Sequence, residues 1–208
     1  MIPTQDPQGL IVLSADASMK LTIEQLLARS THLGFRSLKS KVVVHPERDP
    51  GVFRRSHDFL RNHLRHYRHA ITICDRDGCG SEASREEIEL QIERHLRVNG
   101  LEDRAAAIVI APELEAWMWG NLEPLALCVG WQGTPTDLKA WLSGANVVPP
   151  DKSKPSNPKA ALQQVLRKTK KPGSSAIFGA MAATVDTTGC RDEAFLKLKS
   201  TLHCWFPR

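Results

Sequence analysis

The sequence predicts an α/β protein: a mainly parallel sheet of about four strands flanked by helices, followed by a helical carboxyl-terminal extension. Three observations lead there. Short apolar runs alternate with segments of helical apolar spacing as far as residue 120, which is the pattern of βαβ units joined by right-handed crossovers. Several of these runs stop directly at acidic residues. After Trp119 the strand signal fades and only helical segments remain.

Residues 9–13, Gly-Leu-Ile-Val-Leu, read as a first strand buried on both faces and ending at Ser14-Ala-Asp16. Over residues 21–33, apolar side chains at 23, 26, 27 and 33 recur at helical spacing, with Thr22 as a cap and Gly34 as a stop. Residues 37–45, with Val42-Val-Val44, form a second strand, closed by Pro46 and the polar turn Glu47-Arg-Asp-Pro-Gly51. Residues 52–67 predict a helix with Phe53, Leu60, Leu64 and Tyr67 on one face and arginines around the rest.

A third strand, residues 70–74, delivers the turn Asp75-Arg-Asp77-Gly78. Ser84 and Glu87 have capping-box spacing and open a helix whose inner face is Ile88, Ile92 and Leu96, stopped by Asn99-Gly100. Residues 105–110 are the fourth strand, running into Ala111-Pro-Glu113-Leu-Glu115. Beyond it, helices are expected over residues 125–129, 135–142, 159–169, 174–183 and 192–202, with an exposed loop over 143–158. Residues 1–120 thus read as the α/β domain and 121–208 as a helical extension packed on it, separate or continuous with it.

At 208 residues and 41% hydrophobic, the chain can build one good core, which excludes a disordered protein. Its apolar runs fall far short of the ~20 residues that span a bilayer, and the start lacks the basic and apolar regions of a secretory signal. A soluble cytoplasmic protein with no membrane partner is expected. Five scattered cysteines fit free thiols in a reducing compartment. Cys74 and Cys79 lack a second pair at zinc-ligand spacing. A net charge of +5 permits a polyanionic partner.

A parallel sheet brings its strand carboxyl ends to one edge, so Asp16, Asp75, Asp77, Glu113 and Glu115 should converge although they lie far apart in sequence. Neighbouring carboxylates repel and are costly to dehydrate; a hard cation held by oxygen ligands keeps them ionised, and magnesium comes first. Asp75 and Asp77, flanking one turn, are the expected metal ligands. Glu113 is expected as a further ligand or as a base acting through water, with Glu115 pointing elsewhere on a helix. Taken singly, each acid also suits a turn, a cap or the first turn of a helix. Together they suit metal-assisted phosphodiester cleavage.

The order strand-acid-helix, strand, strand-Asp-x-Asp, then strand and Pro-Glu-Leu-Glu-Ala-Trp117 resembles the TOPRIM fold. With Val44-His-Pro, Cys74-Asp-Arg-Asp-Gly-Cys-Gly80, Lys171-Pro-Gly-Ser-Ser-Ala176 and the terminal Trp205-Phe-Pro, it is similar to the small TOPRIM-like components, related to the DUF4276 group, of bacterial methylation-associated anti-phage defence systems. The resemblance covers most of the chain through short motifs in order. It implies a Mg2+- or Mn2+-dependent nuclease centre with Asp75 and Asp77 in the Asp-x-Asp positions, or a catalytically inactive assembly or nucleic-acid-binding subunit. The implied partners are nucleic acid, DNA ahead of RNA, other defence proteins and a second copy of the chain. The family usually carries a glutamate as general acid or base where Asp16 stands. One methylene less moves the reacting group by about an ångström, which costs on the order of 10²-fold in rate. That departure bears on catalysis more than on fold.

Arg54, Arg55 and Arg61 are expected to present a phosphate-binding face, since backbone neutralisation supplies most non-specific nucleic-acid affinity. Lys170 and Lys171, beside Gly173-Ser-Ser175, can grip a phosphate at a helix start.

Overall fold

Four strands, β1 (Leu10–Ser14), β2 (Ser40–Val44), β3 (His69–Asp75) and β4 (Ala105–Ile110), form one all-parallel sheet in the order β2-β1-β3-β4. The structure is a computed structural model that describes residues 9–63, 65–149, 154–187 and 189–208. The central strands β1 and β3 bury Leu10, Ile11, Val12, Leu13, Ile71 and Ile73 almost completely, which is why they read as continuous apolar runs rather than alternating ones. Burying each such side chain is worth roughly 1.5–3 kcal/mol, and the sheet centre is where the chain concentrates them.

Chain direction across the sheet reverses between β1 and β3. β1 connects outward to β2, and the return crosses β1 to reach β3. Right-handed crossovers then put α1 (Ala17–Ala28) on one face and α3 (Arg48–Arg61) with α4 (Arg85–Leu96) on the other. Open α/β sheets place their sites at the strand carboxyl ends beside such a reversal, which here is the edge after β1 and β3.

Helix starts differ from the sequence expectation for local reasons. α1 begins at Ala17 because Asp16, not Thr22, is its cap: the Asp16 carboxylate accepts the Met19 N–H at 2.8 Å. Thr22 is buried inside the helix and donates to the Ser18 carbonyl. A short helix, α2 (Ser30–Leu33), follows and stops at Gly34, whose φ of +89° is the left-handed cap. α3 begins at Arg48 rather than 52, since Pro50 in a first turn forfeits no helical hydrogen bond. It ends at Arg61 instead of continuing to Tyr67; Leu64, assigned to the same helical face, lies outside the described residues. α4 carries both hydrogen bonds of the Ser84–Glu87 capping box.

β4 is an edge strand, and its outward N–H groups are covered. Glu89 accepts the Val109 N–H at 2.9 Å and Glu93 accepts that of Ala107 at 3.0 Å, while Lys197 donates to both carboxylates. An exposed edge that could template further pairing is thereby closed.

Lys197 belongs to the last helix, α9 (Glu193–Trp205), which inserts Phe195, Leu198 and Leu202 into the sheet core. In chain order, α5 (Leu122–Val129), α6 (Pro135–Gly144), α7 (Pro158–Thr169) and α8 (Ser175–Thr184) come between β4 and α9. They enclose a second core of Trp119, Leu125, Leu138, Val165, Ile177 and Met181. α8 packs on α1, and Phe178 touches both cores, so the extension after residue 120 is continuous with the α/β layer. Of the predicted loop 143–158, residues 150–153 lie outside the described residues. No described helix is long and apolar enough to cross a membrane.

Candidate functional site

Each strand sends an acid to the carboxyl edge of the sheet. β1 leads to Asp16, β2 to Asp49 in the first turn of α3, β3 ends on Asp75, and β4 leads to Glu113 and Glu115. Two of them are in direct register. The Asp75 N–H donates to Asp49 Oδ1 at 2.8 Å, and Asp75 Oδ1 accepts the Leu114 N–H at 2.8 Å. Leu114 opens a 3-10 turn (Leu114–Gly120), so the segment after β4 is pinned to the carboxylate that ends β3.

Gly78 makes this approach possible. A Cβ there would lie 2.5 Å from Asp49 Cγ and 2.6 Å from its Oδ2. The turn Asp77-Gly78 therefore closes over the Asp49 carboxylate only with no side chain at 78. Immediately before Asp49, Arg48 adopts φ +53°, a left-handed conformation uncommon for a residue with a side chain.

The electrostatics show mutual pressure. Burial, then Asp49, then Glu115, drive the Asp75 carboxyl up to about 9, with Asp16 adding to the shift. Burial also raises Asp49, partly offset by the N–H it accepts from Asp75 and by Lys159, while Asp16 pushes it further up. Glu115 is raised by burial, with Glu113 and Asp16 contributing. Asp16 thus acts on three acids while its own Oδ1 caps α1.

Among the described residues, one lysine enters this edge. Lys159, at the start of α7, donates to Glu113 Oε1 at 2.7 Å, and that bond, with Glu113, Glu115 and Asp75 nearby, raises its pKa. The helical extension therefore supplies the cation that partly balances the acids of the sheet.

The residues expected from sequence divide as follows. Asp16, Asp75 and Glu113 come to one edge, with Glu113 held by Lys159. Asp77 differs in its setting: it lies past the end of β3, and its exposed carboxylate pairs with Arg76 at 3.0 Å. Glu115, expected to point elsewhere, is coupled to Asp75 instead. Asp49 and Lys159 were not anticipated. Asp49 sits in a stretch dense in turn residues, and the usable signal was its place just after a strand, where the other acids also lie.

No family model, curated protein or solved structure matches this chain.

The donor set is oxygen only, as a hard divalent cation requires. Among the described residues no three His, Cys, Asp or Glu side chains are arranged to hold a metal ion. Asp49 and Asp75 form a two-carboxylate pair: Asp49 Oδ1 accepts the Asp75 N–H, the Asp49 carboxylate also takes its own backbone N–H, and Asp75 Oδ1 accepts the Leu114 N–H. That fits Mg2+ or Mn2+, since Mg2+ is usually bound by one or two carboxylates with waters and substrate phosphates completing the shell.

Of the basic residues, Arg55 is paired with Glu47, and Arg61 bonds Asn99 and lies 3.6 Å from Asp58. Arg54 is exposed with no ion pair among the described residues, and its guanidinium lies 3.9 Å from where a Cβ on Gly80 would stand, beside the Asp75–Gly80 turn. Lys170 ends α7 and Lys171 donates to the Cys128 carbonyl at 2.7 Å. Lys170 lies at the opposite end of α7 from Lys159, about 16 Å along the helix axis.

Proposed function

We propose that this protein is a metal-dependent, phosphodiester-cleaving nuclease-type component of a prokaryotic anti-phage defence system, working in the cytoplasm on nucleic acid. The observation that carries the reading is the Asp49–Asp75 contact: two acids held together by a backbone N–H, pushed up by burial, with no cationic side chain among the described residues bonded to either. A divalent cation there, when bound, polarises a phosphate and acidifies a water. The sequence resemblance supports the defence setting.

The chain's own residues have separable tasks in this reading. Asp75 and Asp49 are oriented by the N–H groups that fix one oxygen of each. Glu115, raised by burial, is suited to proton transfer, and Asp16 keeps one oxygen beyond its capping bond. Glu113 holds the Lys159 ammonium at the rim of the cluster, where it can meet an incoming phosphate. The exposed Arg54, beside the Asp75–Gly80 turn, supports a role in contacting the nucleic-acid backbone.

A second reading, a non-catalytic assembly or nucleic-acid-binding subunit, is favoured by one specific observation: Glu113 is tied to Lys159, and no three acids are arranged around a common metal among the described residues. Incubating the purified protein with duplex and single-stranded DNA and RNA in Mn2+ separates the two. Cleavage abolished by Asp75→Asn and by Asp49→Asn supports the nuclease. Retained binding without cleavage of any substrate supports the subunit and ends the nuclease reading.

A further inference from the structure

At the amino-terminal edge of the sheet, opposite the acids, Arg36, Lys39 and Arg68 converge on a hollow of about 370 Å³ walled by His69, Trp205 and Phe206. β3 runs from His69 at this edge to Asp75 at the other, which separates the hollow from the acids by about 20 Å.

The hollow is built on tied backbone. The Leu10 N–H donates to the Lys39 carbonyl at 2.9 Å, the His69 N–H to that of Gly9 at 3.1 Å, and the Arg36 N–H to that of Phe206 at 3.0 Å. Gly9, at φ +85°, cannot carry a side chain, since a Cβ would lie 2.2 Å from the Lys39 oxygen. The aromatic wall is equally interlocked: His69 stacks on Trp205 at 4.5 Å and meets Phe206 edge-on at 5.3 Å. The Arg36 guanidinium lies 5.3 Å from the Phe206 ring centre.

The charged side chains among its described lining are all cationic. None of Arg36, Lys39 and Arg68 has an ion pair among the described residues, whereas Arg55, Arg76, Arg85, Lys159 and Lys197 all do. All three are exposed, so solvent screens their mutual repulsion, and an anion seated between them would meet three charged donors at once. His69 reports the same field. Burial, then Arg68 and Arg104, lower it to about 4, so the ring is neutral at physiological pH, and its Nδ1 is buried without a hydrogen-bond partner among the described residues.

Small-molecule sites typically enclose roughly 300–1,000 Å³. Cations beside an aromatic wall suit a phosphate that carries a flat base better than a bare inorganic ion. We propose that this hollow binds the phosphate group of a nucleotide, with Arg36, Lys39 and Arg68 on the phosphate oxygens and the base against the Trp205 side. The nucleotide is either a free nucleoside monophosphate or the phosphorylated end of a nucleic-acid strand. The site is independent of the metal reading.

Calorimetric titration of the full chain at low salt tests this with AMP, inorganic phosphate and a short oligonucleotide with and without a 5′-phosphate. AMP or the 5′-phosphorylated strand should bind about tenfold or more tighter than inorganic phosphate. Lys39→Ala with Arg68→Ala should weaken that binding by about tenfold or more. A thermal melt of the double variant matching the parent shows that the fold is kept. Tighter binding of the 5′-phosphorylated strand than of AMP assigns the strand end, and the reverse assigns the free nucleotide. Neither ligand binding more tightly than inorganic phosphate, or full affinity in the folded double variant, overturns the proposal.

Discussion

The backbone N–H of Asp75 donates to the Asp49 carboxylate at 2.8 Å, joining the last residue of β3 to the first turn of α3. Two acids that would otherwise repel are held by a donor that belongs to neither side chain. The cost shows in their raised pKa values, and it is one that a bound divalent cation can offset.

Asp75 makes that cost measurable. Its carboxyl is raised from 3.8 to about 9, so the folded chain keeps a proton that the unfolded chain releases. The stabilisation is fully present below the unfolded value, declines as pH rises and is lost through about pH 9. Melts from pH 5 to 9 without divalent cations should show the decline. Asp75→Asn keeps an acceptor for the Leu114 N–H, should flatten it, and should be more stable at pH 8 by on the order of 1 kcal/mol. An Asn variant as pH-sensitive as the parent would contradict the assignment.

Gly78→Ala changes no acid yet should disturb the pair, because its Cβ would press on the Asp49 carboxylate. A loss of roughly 1–3 kcal/mol in stability is expected, with Mn2+ affinity weakened about tenfold. Gly144, with nothing within 4 Å of its Cβ position, is the control. There Ala should be neutral or stabilising by up to about 1 kcal/mol. Equal effects at both glycines would remove the case for a steric constraint at 78.

Lys159→Met should separate stability from chemistry. The Lys159–Glu113 pair is partly exposed, and removing it should cost less than about 1 kcal/mol. With one positive charge gone from the acid edge, Mn2+ should bind a few-fold more tightly, whereas cleavage should fall at least about tenfold. Weaker Mn2+ binding would show that Lys159 supports the cluster by packing rather than by charge.

The sheet was legible because its strands are buried on both faces and so spell apolar runs; residues 105–110 read from the sequence match β4 residue for residue. Capping chemistry was legible where it is purely local, as in Ser84 and Glu87. Asp16 was seen as an acid but not as a cap, because apolar spacing over residues 23–33 draws attention away from the polar first turn of α1. Asp49 was hidden by Pro50 and Gly51, which mark a turn by composition while the tertiary structure continues the helix through them. Lys159 could not be found locally: its contact with Glu113 joins residues 46 apart and depends on how α7 docks.

Arg54 differs from its neighbours in having no ion pair among the described residues. Arg54→Ala should weaken DNA binding and lower the slope of log affinity against log salt by about 1. Arg55→Ala, which breaks the pair with Glu47, should change the slope less. Identical slopes for both variants would place the nucleic acid elsewhere.

The most direct measurement is Mn2+ titration followed by electron paramagnetic resonance on the parent, Asp75→Asn, Asp49→Asn and Asp77→Asn proteins. A single bound Mn2+, lost in the first two variants and retained within about twofold in the third, is the expected result. Undiminished Mn2+ binding in Asp75→Asn, or loss only in Asp77→Asn, would contradict a centre built on Asp49 and Asp75.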